Sequence, residues 1–187
     1  MLFLIEGPTM KRRSVIIYLG LTLLMTHRSH GKDSEQDTPG TDWKSFLNPS
    51  SGEPIAVFPK ISLSSAEWKK KLPDQEYKIL FEEHTEPRFS SPLNNEKRRG
   101  LYHCRACGLA LFTSQMKYDS KTGWPSFFTC IPGHLGTKKD FRLFIPRTEY
   151  HCNKCGGHQG HVFQDGPAPT YERWCNNGLS LVFKESA

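Results

Sequence analysis

Four of the six cysteines stand as two Cys-x-x-Cys knuckles, Cys104-Arg-Ala-Cys107 and Cys152-Asn-Lys-Cys155, each followed by a glycine, Gly108 and Gly156. Glycine lets the backbone turn there, so that both thiolates of a knuckle face one point. Two such knuckles predict a tetrahedral sulfur cage for one structural zinc ion per chain. The 44 residues between them exceed what a minimal zinc ribbon needs. The insertion is therefore expected to be a body of structure in its own right, with the metal clipping two ends of a small domain. Two disulfides, or a redox-active pair of thioredoxin type, are the rival readings. The redox pair needs a βαβ setting that is missing here, whereas the disulfides stay open for an exported chain.

A chain of 187 residues with 36% hydrophobic content suits one compact domain plus appendages. Thirteen prolines and 15 glycines predict a loop-rich structure with short strands. The formal charge of +6 raises the question of nucleic-acid binding. Lys11, Arg12, Arg13 and Arg28 against Glu6 place half of that charge in residues 1–31, and no basic run interleaved with aromatics follows. Lys69, Lys70 and Lys71 read as one wet helix face, and no nucleic-acid partner is expected.

The basic cluster at 11–13, the apolar stretch from Val15 to Met25 and the small residues Ser29 and Gly31 have the layout of a cleavable signal over residues 1–31. The apolar stretch is shorter than the roughly 20 residues that span a bilayer, so an integral membrane protein is not expected. Arg12-Arg13 loosely suggests a twin-arginine signal. The chain is thus read as exported, to the periplasm of a bacterium or otherwise to the secretory pathway or outside the cell, with a mitochondrial presequence as the rival. Residues 32–60, polar and rich in Ser, Pro, Asp and Gly, read as a flexible linker, and residues 61–187 as the working domain. Ser64-Ser65-Ala66-Glu67 forms a capping box with Trp68 and Leu72 on one face of a helix that Pro73 ends. A second short helix over Asp74 to Glu83 would bury Tyr77, Leu80 and Phe81.

Two cysteines remain outside the cage. Cys175 follows Arg173, whose cation favours a thiolate, and precedes Asn176, Asn177 and an expected strand alternating through Leu179, Leu181 and Phe183. A buried, inert thiol is the bland alternative. His158-Gln-Gly-His161 sits beside the second knuckle. With four cysteines filling a tetrahedral site, its histidines are left for acid–base work or a structural role. Gly123-Trp124-Pro125-Ser126-Phe127-Phe128 can line an apolar pocket for a thioether methyl group, or be core.

Together these residues resemble the methionine-R-sulfoxide reductases, the B-type family that restores one epimer of oxidised methionine. The match runs from about Ser64 to Phe183. It includes Thr85-Glu86, Phe89-Ser-Ser-Pro92, Glu96-Lys-Arg98, Lys117-Tyr-Asp-Ser120, the Gly123 to Phe127 run, both knuckles, Gly160-His-Val-Phe163, Asp165-Gly-Pro167 and Arg173-Trp-Cys175. The resemblance implies a mainly β fold of two antiparallel sheets in a tent-like arrangement, short helices ahead of them and a zinc site of four cysteines. It implies Cys175 as nucleophile, with His158, His161 and Asn177 as active-site partners. Trp124 would pack on the substrate methyl, and Arg173 and Asp165 would lie near the nucleophile. The implied chemistry is attack of the Cys175 thiolate on the sulfoxide sulfur, leaving a sulfenic acid. The implied partners are oxidised proteins or peptides as substrate and thioredoxin or another thiol as donor, with the protein a monomer.

The sequence departs from the family at several points. The common resolving cysteine would fall at Thr122, so Cys130 is a candidate substitute resolver and direct reduction by an external thiol is the other route. Gln159 replaces a usual leucine, Trp174 a tyrosine or phenylalanine, and Gly178 a frequent serine. A reading of a different class makes the chain a non-catalytic zinc-ribbon binding module, which would bind nucleic acid in a salt-dependent way and be indifferent to Cys175→Ser.

Overall fold

The capping box at Ser64 forms as the sequence predicts. The computed structural model describes residues 58–142 and 145–186, so the signal reading and nearly all of the linker lie outside the described residues. The Ser64 backbone N–H donates to the Glu67 carboxylate at 2.8 Å and the Glu67 N–H returns to the Ser64 hydroxyl at 3.4 Å. These bonds satisfy donors that have no partner inside helix α1, Ser65–Lys71. Trp68 is buried while Lys69, Lys70 and Lys71 face solvent at the carboxyl end, where the helix dipole favours cations. Pro73 then caps α2, Asp74–Glu82, which ends with Glu83 in the left-handed region at φ 56°. Tyr77, Ile79 and Leu80 are its buried residues. Phe81 is half-buried and stacks on Trp68 at 4.7 Å between ring centroids. No helix among the described residues is long and apolar enough to cross a membrane.

Among the described residues, nine strands follow in two antiparallel sheets. In the first, β1 (Gly100–Cys104) lies between β2 (Ala110–Thr113) and β9 (Leu181–Glu185). The second runs in the order β3 (Lys117–Tyr118), β4 (Ser126–Phe127), β8 (Arg173–Asn176), β7 (His158–Phe163), β6 (Arg147–Cys152) and β5 (Leu135–Asp140). Alternation along β1 turns Tyr102 and Cys104 inward. Tyr102, Leu111, Phe112, Met116, Phe127, Tyr150 and Leu181 then fill one core shared by both sheets. Phe112 and Phe127 stack at 4.0 Å between centroids, so Phe127 belongs to that core while Trp124, three residues earlier, stays half-buried.

The strand expected through Leu179, Leu181 and Phe183 is split. Leu179 lies in a 3-10 turn, Gly178–Ser180, between β8 and β9. The buried Glu86 carboxylate accepts the Gly178 N–H at 2.6 Å and the Leu179 N–H at 2.9 Å, and these bonds fix the turn. Cys175 consequently sits on a strand of its own, with β7 on one side and β4 on the other.

β7 and β8 approach closely at Gly160, where a Cβ would overlap the Cys175 carbonyl oxygen. Neither backbone can yield without breaking the ladder. Gly160→Ala is therefore expected to lower unfolding free energy by at least about 2 kcal/mol. A urea midpoint equal to that of the wild type would refute this.

Candidate active site

The first knuckle closes the β1–β2 connection and the second the β6–β7 connection. Gly108 and Gly156, at φ 73° and 75°, donate their N–H groups back to the carbonyls of Cys104 and Cys152, each at 2.8 Å. The four sulfurs of Cys104, Cys107, Cys152 and Cys155 all lie within 4.8 Å of one another, with Cys104–Cys155 at 3.6 Å and Cys107–Cys152 at 3.5 Å. A tetrahedral zinc site with Zn–S bonds of about 2.3 Å places its sulfurs about 3.8 Å apart, so the quartet fits a metal of that kind. All four thiols are free of disulfides.

Across the domain's second sheet, Cys175 pairs with His161 of β7 on one side and Ser126 of β4 on the other. It opens into a cavity of about 100 Å³ whose walls include Thr85, Trp124, Arg147, His161, Phe163 and Asn177. Burial raises the Cys175 thiol above its ordinary range, and the Arg173 cation and the Thr122 hydroxyl pull it only part of the way back. The cation does favour the thiolate as its position in the sequence implies, but desolvation outweighs it. Part of the reason is that Asp165 grips Arg173 through two hydrogen bonds of 2.8 and 2.9 Å. The guanidinium also lies 4.3 Å over the Phe163 ring. Arg173 and Asp165 thus form a clamp next to Cys175 and are not part of the cavity wall.

Each histidine is held by a carboxylate. His161 donates from Nε2 to Asp140 at 2.8 Å, which leaves Nδ1 as the acceptor of the neutral ring. Asp140 also accepts from the Arg142 N–H at 2.9 Å and from Arg147 at 2.6 Å, and these bonds hold its carboxyl well below the usual range. Burial holds the His161 pKa below its ordinary value, and the hydrogen bond to Asp140 draws it only part of the way back. His158 donates from Nδ1 to Glu149 at 2.7 Å, and its ring lies 5.4 Å from that of His161. Burial opposes the charge on Glu149, yet hydrogen bonds from His151 and His158 prevail and the carboxyl is pushed down to about 2. The buried Nε2 of His158 has no hydrogen-bond partner among the described residues.

Asn177 is buried and committed. Its Oδ1 accepts the Glu86 N–H at 3.0 Å, and its Nδ2 donates to the Gln159 carbonyl at 3.2 Å. The Trp124 indole N–H donates to the Glu86 carbonyl at 3.1 Å. The Glu86 peptide thereby ties the indole wall to the Asn177 wall. Cys130 is not brought into the cavity. It packs half-buried against the core, and burial pushes its thiol up to about 12.

Sequence reasoning missed Asp140, Glu149, Arg147 and Tyr150. Tyr150 donates to Asn176 Oδ1 at 2.7 Å directly beside Cys175. The one available signal was the period-two spacing of Arg147, Glu149 and His151 on a single strand.

The SelR domain matches residues 72–185. A Methanosarcina barkeri protein named peptide methionine sulfoxide reductase MsrB is 46% identical over 125 residues, 66% of this chain and 88% of its own. Agrobacterium fabrum has an MsrB that is 46% identical over 127 residues, 67% of this chain and 94% of its own. The chain belongs to the MsrB family. A Leptospira interrogans MsrB is 44% identical over 127 residues, 67% of this chain and 97% of its own.

Within this MsrB domain the departures acquire physical reasons. A side chain at Gly178 would collide with the Ser91 hydroxyl, so glycine and Ser91 belong together. Trp174 meets Tyr150 edge-on at 4.9 Å and donates to Glu172 at 3.0 Å, using the extra reach of the indole. Gln159 donates to Cys104 Sγ at 3.5 Å, while its carbonyl receives the Asn177 N–H at 2.8 Å. One residue therefore connects the sulfur quartet with the strand end next to Cys175.

Proposed function

We propose that this protein reduces the R epimer of methionine sulfoxide, carried on proteins or peptides, to methionine. The observation that carries the reading is the pairing of Cys175 with His161 across β7 and β8 in one small cavity that Trp124 walls. The substrate methyl rests on the Trp124 face, which leaves the sulfoxide oxygen for the histidine side. A mirror-image sulfoxide cannot satisfy both contacts while presenting its sulfur to Cys175.

Cys175 Sγ attacks the sulfoxide sulfur as a thiolate. His161, held by Asp140, protonates the oxygen when its ring carries the second proton. The oxygen ends on Cys175 as a sulfenic acid and methionine departs with the sulfur electron pair restored. His158, locked by Glu149, keeps its ring against His161. Two equivalents of an external thiol then return Cys175 to the thiol, releasing water and a disulfide. Thr122 at the resolver position and the placement of Cys130 favour direct attack by a thioredoxin-like or other donor. The four knuckle cysteines would hold zinc, whose contribution when bound is to cross-link the two knuckles. The amino-terminal layout supports an exported domain.

The test is turnover of separate R and S epimers of a protected methionine sulfoxide with dithiothreitol. Consumption of R alone is the expected result. Equal consumption of both epimers, or of neither by folded protein, would overturn the proposal.

A further inference from the structure

Trp124 is a wall shared by two cavities. On one side lies the cavity of about 100 Å³ that holds Cys175. On the other lies an open cavity of about 290 Å³, whose walls include Phe89, Tyr118 and Pro125 together with the polar Asn94 and Lys117.

Phe89 is the part of the second cavity that packing does not explain. The residue is 68% exposed, yet it is fixed from three directions. Its N–H donates to the Gly123 carbonyl at 2.7 Å. Its ring lies so close to Gly123 that a Cβ there would stand 3.1 Å from the ring. The Arg88 guanidinium lies 5.6 Å from the Phe89 ring centroid and 5.5 Å from that of Trp124, so one cation bridges the two aromatic walls. Arg88 is itself anchored by donating from Nε to the Thr122 carbonyl at 2.9 Å. The Phe89 backbone has φ 62°, a left-handed conformation that is costly for a bulky side chain. Residues held in such conformations cluster at active sites and ligand clamps. Here the strain keeps a large apolar ring out in solvent, next to the cavity of Cys175.

We propose that the cavity between Phe89 and Trp124 is a substrate subsite, which receives an apolar side chain two residues away from the oxidised methionine of a protein or peptide. The inference rests on the reductase reading and names what is recognised beyond the methionine itself.

An extended peptide rises about 3.3 Å per residue and turns alternate side chains to opposite faces. With the oxidised methionine in the cavity of Cys175, its immediate neighbours point away. The residues two positions before and after it lie about 7 Å along on the same face, and one of them crosses the Trp124 wall into the second cavity. The walls there are already in place. The Trp124 indole is fixed by its bond to the Glu86 carbonyl at 3.1 Å. The Gly123 carbonyl that holds Phe89 also accepts from Asn94 Nδ2 at 3.0 Å. Little ordering is therefore needed on binding. The charges select against a basic occupant. Lys121 is paired with Asp119 at 2.6 Å. Lys117 donates to the Asn94 carbonyl at 2.9 Å, and neither it nor Arg88 has an ion pair among the described residues. An acidic occupant would have to shed water against Phe89, Tyr118, Trp124 and Pro125, whereas an apolar one gains by covering them.

The experiment compares capped pentapeptides with methionine sulfoxide at the centre and glycine, leucine, lysine or glutamate at both positions two residues from it. Turnover is measured with dithiothreitol in the full-length, zinc-loaded protein. The leucine peptide is expected to exceed the glycine peptide about tenfold in kcat/KM, chiefly through KM, with lysine below glycine. In Phe89→Ala the leucine preference should fall to about twofold. Equal values for leucine and glycine in the wild type, a glutamate peptide better than leucine, or a full leucine preference in Phe89→Ala overturns the proposal. The wild-type comparison needs no variant and decides even if Phe89→Ala does not fold. A capped methionine sulfoxide, too short to reach the second cavity, separates the two failures. If it is consumed while the pentapeptides do not differ, the subsite fails and the reductase reading stands. If nothing is consumed, the reductase reading fails, and calorimetric titration of the same pentapeptides still tests the cavity through the same order of affinity.

Discussion

Cys175→Ser is expected to lower turnover of methionine R-sulfoxide by more than about 10³-fold. The proposed chemistry requires an atom that can attack sulfur and then carry the transferred oxygen. A sulfenic acid is a stable enough resting place for that oxygen, whereas a serine oxygen would have to become a peroxide. The loss will not come from unfolding. Cys175 is half-buried on β8, and its ladder to Ser126 and His161 is made by backbone. Serine is close to cysteine in shape, so the strand pairing survives the substitution. Rates with both proteins, together with zinc content and melting temperature, check the prediction. A serine variant that kept a tenth of the rate with zinc bound would remove Cys175 from the nucleophile's role.

What the sequence reveals about this domain is what lies within a few residues along the chain. The capping box at Ser64, the break at Pro73 and both knuckles are local patterns, and each forms where it is expected. The strand predicted through Leu179 fails because its fate is decided from 93 residues away, by the Glu86 carboxylate bonding the Leu179 N–H. The same limit hid the acids that hold the histidines. Asp140 is on β5 and His161 on β7, with β6 between them in the sheet, so their 2.8 Å bond exists only once three strands are in register. Glu149 is fully buried, an unusual position for an acid, and only the folded register shows that His151 and His158 converge on it. For Cys130, a thiol count suggests a purpose, while the packing against the core supplies a bland one.

Stripping the metal is expected to lower the melting temperature by at least about 15 °C, and Cys107→Ser to do so nearly as much. Structural zinc is worth about 10–16 kcal/mol in small finger peptides, while a whole domain is stable by only about 5–15 kcal/mol. Even a fraction of the metal's contribution is thus a large share of the total. The position of the quartet makes the share large here. It joins the β1–β2 turn of one sheet to the β6–β7 turn of the other, and three of its four cysteines are buried. Without a cation, four thiols packed within 4.8 Å must either stay protonated or repel as thiolates. The damage should also reach the active site. Gln159 donates to Cys104 and its carbonyl holds Asn177, so disorder in the knuckles loosens the end of β8. Calorimetry of metal-free and reloaded protein, with alkylation of the Cys175 peptide followed in parallel, measures both effects. A metal-free protein that melts within about 3 °C of the loaded one, a shift worth less than about 1 kcal/mol, would mean that core packing alone unites the two sheets, and that the sulfur quartet serves something other than stability.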